Sequence, residues 1–581
     1  MDIDAAASRS VDPLVLALTQ NRLDHVCRQM GWVMSQTALS PIFSQSHDFT
    51  CFITGRDGQI ISQAEGLPAH AAGGGFAVRA LIAAFGDDIA DGDVFLMNDP
   101  YAAGGNHLPD WVVATPVFVA GRLAAFACDR AHQSDIGGGA PGTYNGDATE
   151  IFHEGIRLPP LRIVEKGTVR RDLWQLLLLN CRTPELLDGD LQAMIGATRV
   201  GAERIVALAE ERGPAQVDRL FDAVLDHADR RFRQVVAALP DGVYEGDEHT
   251  DNDCFGPGRF NVHVTVTIAG DGMTIDFTGT DPQMRGFKNS PLANTHSLTY
   301  VGLASFLGGD IPINEGTFRS ARLVLPPGTL VNPTPPAPQT MSTMYMGHEI
   351  VHAVWKALAK ADPQRACAGW GKTVHGISTG RNAAGEPYVL YHWNCLSGAG
   401  AVRERDGFHQ IGILGALGGL TVPNVEAYER LYPVRIHRHE IRCDSAGPGE
   451  RRGGAGVDYE AEIDGEVVQS FRSEGLTYAA AFGVNGGGDG LGCSMAIDSE
   501  GRPVADIPAY GKRTYIDPYF RVCSAGGGGW GDPRRRDPAA VARDVLDGIV
   551  SVEAARAVYG VAVDGRSGDV DEAATARLRG T

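Results

Sequence analysis

Apolar positions along the chain switch several times between two spacings. Behind Asp12, a capping residue, and Pro13, suited to a first helical position, Leu14, Leu18, Leu23, Val26 and Met30 recur at roughly helical intervals. A helix is expected from there to near Gly31 or slightly beyond. Between about 49 and 165 the pattern becomes short strands and glycine turns, and from 170 to 240 it is helical again, in LWQLLLLN, DLQAMIGATRVGAERIVALAEE and VDRLFDAVLDHADRRFRQVVAAL. Residues 242 to 282 alternate, as in FNVHVTVTIAGDGMTIDFTG, which predicts a hairpin around Ala269-Gly270-Asp271-Gly272. From 296 to 361 helical stretches flank a proline-rich bridge, strands dominate from about 432 to 530, and two short helical patterns close the chain. No fixed period repeats. The expected class is α+β in several lobes: an N-terminal α/β lobe over 1–165, a helical segment over 166–241, a central α/β lobe over 242–431, a strand-rich lobe over 432–536 and a helical tail over 537–581.

Composition narrows the partners. The 581 residues hold 74 glycines, about twice the usual share, which excludes a coiled coil and calls for many turns and close backbone approaches. A formal charge of -20 repels phosphate backbones and anionic lipid, so neither nucleic acid nor a membrane is an expected partner. The longest apolar stretch, Trp111 to Cys128, contains Pro116 and Arg122 around a glycine and is expected to form two strands and a turn. Ten cysteines without a CxxC pair, behind an N-terminus with no signal-peptide pattern, lead to the expectation of a reducing, cytoplasmic setting.

Candidate chemistry gathers at hairpin ends between 48 and 132. In TCFITGRDGQIISQ the turn is Arg56-Asp57-Gly58, so Asp48 is expected near Glu65 and a few residues from His70. In WVVATPVFVAGRLAAFAC the turn centres on Ala120-Gly121, pairing residue 110 roughly with 131 and making Asp110 and His132 near neighbours. His107 lies three residues before Asp110 in GGNHLPD, where glycine and proline curl and stiffen the loop. Two imidazoles with one or two carboxylates suit Zn, Mn or Fe(II) and, with an open position, can activate water or polarise an oxygen. The plainer reading of the same residues is turn capping and satisfied loop polarity.

The runs HDFTCFITGRDGQIISQAEGLPAH, GDVFLMNDPYAAGGNHLPDWVVATPVF, RAHQSDIGG and ATEIFHEGIRLPP, followed by DIPINEGTFR, LPPGTLVNP, RLYPVRIHRHEIRCDSAGPGERRGGAGVDYE and GGGGWGDPRRRDP, resemble the B-type subunit of the hydantoinase/oxoprolinase family over nearly the whole chain. The resemblance implies a hetero-oligomer with an A-type subunit of actin-like fold that binds ATP with Mg. It implies a small-molecule substrate and a divalent metal on Asp48, His107, Asp110 and His132. It implies an enzyme that opens a cyclic amide of the hydantoin, 5-oxoproline or lactam kind. A ketone carboxylase of the acetone or acetophenone type is the alternative, and a scaffold subunit with a purely structural metal a third. The sequence departs from the family where Asn106 stands before His107, at His132-Gln133-Ser134, and in MSTMYMGHEIVHAVWKAL.

Other patterns compete. His348-Glu349-Ile350-Val351-His352 has the spacing of a zinc protease, with His375 as an imaginable third ligand; the competing role is core packing. ACAGWGKT at 366–373 loosely matches a phosphate loop but lacks the strand before and the helix after. GISTG at 376–380 has the form of a nucleophile elbow but is expected to lie between strands, and GGGDGLG at 486–492 is weaker still. His70 and Glu65 are candidates for proton transfer or for completing the metal shell, and Asp135 for orienting His132 or moving a proton. Glu150, His153, Glu154 and Arg157 are candidates for lining the same cleft, against helix capping and surface pairing.

Overall fold

The computed structural model describes residues 11–71, 73–308 and 311–580, with the side chains of Ala64, Glu65, Ala71 and His375 outside the description. The fold is α+β, and its segments gather into two compact units that alternate along the chain. One unit comprises Met1–Gly139, Ala148–Glu248 and Asn261–Val354, the other Ala140–Asp147, His249–Phe260 and Trp355–Thr581.

The first unit begins with α1 (Pro13–Thr37), capped by Asp12, whose side chain accepts from the amides of Leu14 and Val15. The helix runs six residues past Gly31, because Gly31 and Met34 continue the stripe of Leu23, Val26, Cys27 and Met30 that the helix buries. That packing offsets the roughly 1 kcal/mol that a glycine costs a helix interior. The strands β1 (Phe49–Gly55), β2 (Ile60–Gly66), β3 (Val94–Met97), β4 (Asp110–Val119), β5 (Arg122–His132), β6 (Leu161–Glu165) and β7 (Thr168–Val169) form one antiparallel sheet in the order β2-β1-β5-β4-β3-β6-β7. Between β2 and β3 lie α2 (Pro68–Ala71) and α3 (Gly74–Phe85).

Even-numbered residues of β4 and β5 face α3, where Val112, Ala114, Phe126 and Cys128 join Phe52, Ala77, Val78 and Leu81 in a buried core. Odd-numbered residues meet α4 (Pro184–Arg212), on which Thr198 bonds Thr115 at 2.8 Å and Gly201 lies close to Ala127 and Met30. A sheet covered on both faces explains why β4 and β5 read as nearly unbroken apolar runs.

A second sheet orders β8 (Gly242–Asn252), β9 (Pro257–Ala269), β10 (Gly272–Asp276) and β11 (Ala321–Val324) as β11-β10-β9-β8, and β9 and β10 pair across Gly270-Asp271 as the alternation predicts. Two further helices follow, α5 (Leu292–Leu307) and α6 (Gly347–Ala361).

The second unit carries two sheets. One joins β12 (Val374–Arg381) and β13 (Pro387–Tyr391) to β16 (Glu466–Ser473) and β19 (Tyr510–Ile516), in the order β13-β12-β16-β19. The other joins β14 (Val434–Ile441) and β15 (Val457–Ile463) to β17 (Ser494–Ser499), β18 (Arg502–Pro503) and β20 (Tyr519–Cys523). Val374, Leu390, Tyr459, Phe471 and Phe520 belong to one buried core of this unit.

Part of the glycine surplus has its reason here. A Cβ on Gly526, Gly527, Gly528 or Gly529 would fall 1.9 to 2.1 Å from the carbonyl oxygens of Ser445, Ala399, Phe482 and Pro448. The four amides donate to the carbonyls of Leu491, Gly454, Gly369 and Gly488, so the run is a backbone hub for separate segments and no side chain fits. No disulfide joins any of the ten cysteines, and among the described residues no helix is long and apolar enough to cross a membrane.

Candidate metal centre

Three buried side chains of the first unit, His107, Asp110 and His132, bring one ligand atom each to within 4.8 Å of one another, the one such group among the described residues. The β4–β5 hairpin builds it through a detail that the sequence pattern hides. Ala120 and Gly121 both take positive φ, as a two-residue turn between right-twisted strands requires, and Val119 pairs with Arg122. Continued without interruption, that register would set Asp110 opposite residue 131. Between Val117 and Phe118 the register shifts by one, and Asp110 pairs with His132. Directly opposite residues share a face, and a one-residue slip moves a side chain to the other face. The bulge is therefore what places His132 beside Asp110 on the α3 side of the sheet.

Asp48 arrives by a different ladder from the one expected. The β1–β2 hairpin does pair Cys51 with Glu65, but Asp48 is fixed by β5, where Phe49 pairs with Ala131 and the His132 amide donates to the Asp48 carbonyl at 3.1 Å. The expected approach of the Asp48 and Glu65 side chains lies outside the described residues. His70 comes from α2, which Thr50 holds by a reciprocal pair of bonds to the backbone of Leu67. His107 comes from the loop before β4, where Asp99 caps Tyr101 and Ala102, and Gly105 lies so close to Asn98 that a Cβ would stand 1.9 Å from its carbonyl.

Asp110 is the hub of these groups. Its Oδ1 meets His107 Nε2 at 2.6 Å and His132 Nδ1 at 3.1 Å, and its Oδ2 lies 3.2 Å from His70 Nε2. The same His70 atom is 3.8 Å from Asp48 Oδ1. Burial alone would raise the Asp110 carboxyl, yet His107 and His70 beside it and the bonds from His107 and His132 hold it well below the usual carboxylate range. Burial likewise works to lower His107, but the Asp110 charge and the bonds to Asp110 and the Thr340 carbonyl outweigh it and the net shift is upward. Burial pushes His70 down to about 4, with Asp110 opposing and Arg130, His107 and His132 adding to the fall.

The donor set fits a divalent cation. His107 Nδ1 faces the Thr340 carbonyl at 2.5 Å, which fixes Nε2 as the atom turned toward Asp110. Asp110 Oδ2 is buried without a hydrogen bond, an arrangement that costs about 1–3 kcal/mol or more unless something takes the oxygen. His107, Asp110 and His132 offer two imidazoles and a carboxylate, without a thiolate of the kind common in closed structural zinc sites, and Asp48 lies outside that group with its Oδ1 3.8 Å from His70 Nε2.

One neighbour, Arg130, carries no signal in the sequence. It is fully buried on β5 and bonds both loops that bring in His70 and His107. Glu154, one of the expected cleft residues, is buried and accepts from the amides of Gln339 and Thr340, the segment whose carbonyl meets His107. Burial raises its carboxyl to about 7 despite those bonds. Arg157 ion-pairs with Asp99 at 2.5 Å, and the His153 ring accepts from the Thr149 amide at 3.3 Å, while Glu150 opens the short 3-10 turn Ile151–His153. Asp135 is buried, with its carboxylate receiving the Gly137 amide at 3.0 Å, the Arg182 amide at 2.9 Å and the Arg182 guanidinium at 3.1 Å.

The competing motifs take other roles. His348 and His352 lie one turn apart on α6 with ring centroids 4.2 Å apart, and His352 Nδ1 pairs with Glu248 at 3.2 Å inside the protein. The GWGKT run passes straight into β12, and Lys372 is buried with its ammonium 3.6 Å from Glu474. Ser378 of GISTG sits within β12, where its hydroxyl donates to Gln469 Oε1 at 2.5 Å. With that proton committed, the 2.7 Å contact to His392 Nε2 is one the imidazole donates, the reverse of nucleophile activation.

A family model described as hydantoinase B/oxoprolinase matches residues 12–533. The chain is 35% identical to the beta subunit of the caprolactamase of Pseudomonas jessenii, over 97% of its own length and 98% of the relative's. It is 30% identical to the B subunit of a putative D-/L-hydantoinase of Pseudomonas sp. (strain NS671), covering 98% of each. The crystal structure of the ATP-dependent caprolactamase from Pseudomonas jessenii superposes with a TM-score of 0.89 over 98% of this chain and all of that one, at 33% identity. A nucleotide-free acetone carboxylase chain shares the fold, with a TM-score of 0.87 at 21% identity over 98% of this chain and 83% of that one.

Proposed function

Because the chain belongs to the hydantoinase B/oxoprolinase family, we propose that it is the metal-holding subunit of an ATP-dependent amidohydrolase that opens a cyclic amide, with ATP and Mg bound by a separate A-type subunit. The observation that carries the reading is Asp110, a buried carboxylate shared by two imidazoles on one oxygen and left without a hydrogen bond on the other. Asp48, His107, Asp110 and His132 would hold a divalent cation such as Zn, Mn or Fe. When bound, it would supply Lewis-acid polarisation of a substrate oxygen or lower the pKa of water.

A ring amide is a weak electrophile. Phosphorylation of its carbonyl oxygen at the partner's ATP site would turn it into an imidate-like phosphate open to water. The present chain's share is to position and to move protons. Asp110 and His132 stand on a buried ladder and cannot drift, and the Thr340 carbonyl sets the tautomer of His107. His70, held neutral by burial and with Nδ1 free of hydrogen bonds, is the group we assign to proton transfer. Asp135, tied to Arg182, is the second candidate, acting through the 132–135 loop.

The full chain, co-purified with its ATP-binding partner, is expected to open a lactam, hydantoin or 5-oxoproline ring in step with ATP hydrolysis. Neither subunit should do so alone. Ketone consumption that requires bicarbonate, without ring opening, would instead establish the carboxylase reading.

A further inference from the structure

The sheet positions only part of the candidate metal centre and its surroundings. Asp110 and His132 are fixed by the β4–β5 ladder, whereas His70 and His107 come from segments outside any ladder. Arg130 stands two residues before His132 on the same face of β5 and is fully buried. Its Nη1 donates to the His70 carbonyl at 2.7 Å and to Asn106 Oδ1 at 2.6 Å, and its Nη2 to the carbonyls of Gly73 and Gly104, each at 3.3 Å. All four acceptors belong to the two segments that deliver His70 and His107. None of the four is a carboxylate, so the guanidinium holds backbone and amide in place without neutralising its charge.

Asn106 closes the loop between them. While its Oδ1 accepts from Arg130, its Nδ2 donates to the Ala69 carbonyl at 3.1 Å, next to His70. The space is fitted to the pair: a Cβ on Gly73 would meet Asn106 Oδ1 at 2.8 Å and Arg130 Nη1 at 3.0 Å.

We infer that Arg130 and Asn106 form a clamp that positions His107 on the metal centre and His70 beside it, a role that rests on the metal reading given above. Both are positioning residues, since each acts through the backbone next to a histidine. A fork fits position 130, because its two terminal nitrogens serve four acceptors, whereas lysine's single ammonium carries three N–H groups on one atom. An amide is required at 106, because one end accepts while the other donates.

The test is Zn2+ affinity of the full-length chain, measured by chelator competition, together with the melting temperature with and without Zn2+. Wild type and Asp110→Asn establish whether the centre binds metal at all. Against them, Arg130→Lys and Asn106→Ala are expected to bind Zn2+ about 10- to 100-fold more weakly, the range seen when groups supporting metal ligands are removed. The Zn2+-induced rise in melting temperature should shrink with the affinity. Asn106→Ala introduces no charge and decides the matter if Arg130→Lys fails to fold. Wild-type affinity in both Arg130→Lys and Asn106→Ala would overturn the clamp while leaving the metal centre standing. Equal binding by wild type and Asp110→Asn would remove the metal centre and the clamp with it.

Discussion

Replacing His107 with alanine in the assembled complex is expected to lower ATP-dependent ring opening by about 10^3-fold or more, since a bound cation supplies several kcal/mol of transition-state stabilisation and each 1.36 kcal/mol is tenfold. The geometry makes this position sensitive. The Thr340 carbonyl holds one side of the ring and Asp110 the other, and alanine makes neither contact. Asp110 would keep His132 on Oδ1 and lose its shortest contact. The loss should fall on turnover, with the complex still forming, because His107 is buried and offers no surface to a partner. Steady-state rates of product and ADP release, alongside the elution position of the complex, check both parts. Activity that survives the substitution would make the metal structural and the chain a scaffold.

The second large effect lies in the other unit and concerns stability. Lys372 and Glu474 are both fully buried, and Glu474 also accepts from Tyr510 at 2.7 Å, Asn252 at 3.2 Å and Thr250 at 3.3 Å. Lys372→Met leaves that carboxylate charged and without its counter-ion, a change that typically costs about 3–5 kcal/mol. The urea midpoint of the second unit should fall accordingly. Adding Glu474→Gln should restore much of the loss, because the orphaned charge is what is expensive. ATP binding by the complex should be untouched in the double variant. A Lys372→Met protein as stable as wild type but unable to use ATP would revive the phosphate-loop reading of GWGKT.

How much of this could be read from the residues alone depends on how local the cause is. The α1 cap at Asp12, the Ala120-Gly121 turn and the β9–β10 hairpin follow from neighbours in sequence, and the structure has them where the pattern puts them. The grouping of His107, Asp110 and His132 was legible for the same reason. Its exact register was not: Pro116 stands just before the bulge at Val117 and Phe118, but a proline within a strand does not by itself fix where the ladder shifts.

Non-local features stayed hidden. Asp48 reaches the site through the β1–β5 pairing, although those strands lie some distance apart in sequence. Arg130 gives no hint in the sequence that it is buried, since arginine is ordinarily exposed and only the converging carbonyls of two loops make its position tenable. The glycine run at 526–529 was visible as composition, but its cause is contact with three segments distant in the chain, at 399–400, 445–448 and 481–482.

The most direct test of the account is the metal content per purified chain, by mass spectrometry, of wild type, Asp110→Asn and His348→Ala. The account predicts about one divalent metal in wild type and in His348→Ala and almost none in Asp110→Asn. Metal retained in Asp110→Asn and lost in His348→Ala would contradict it and move the centre to α6.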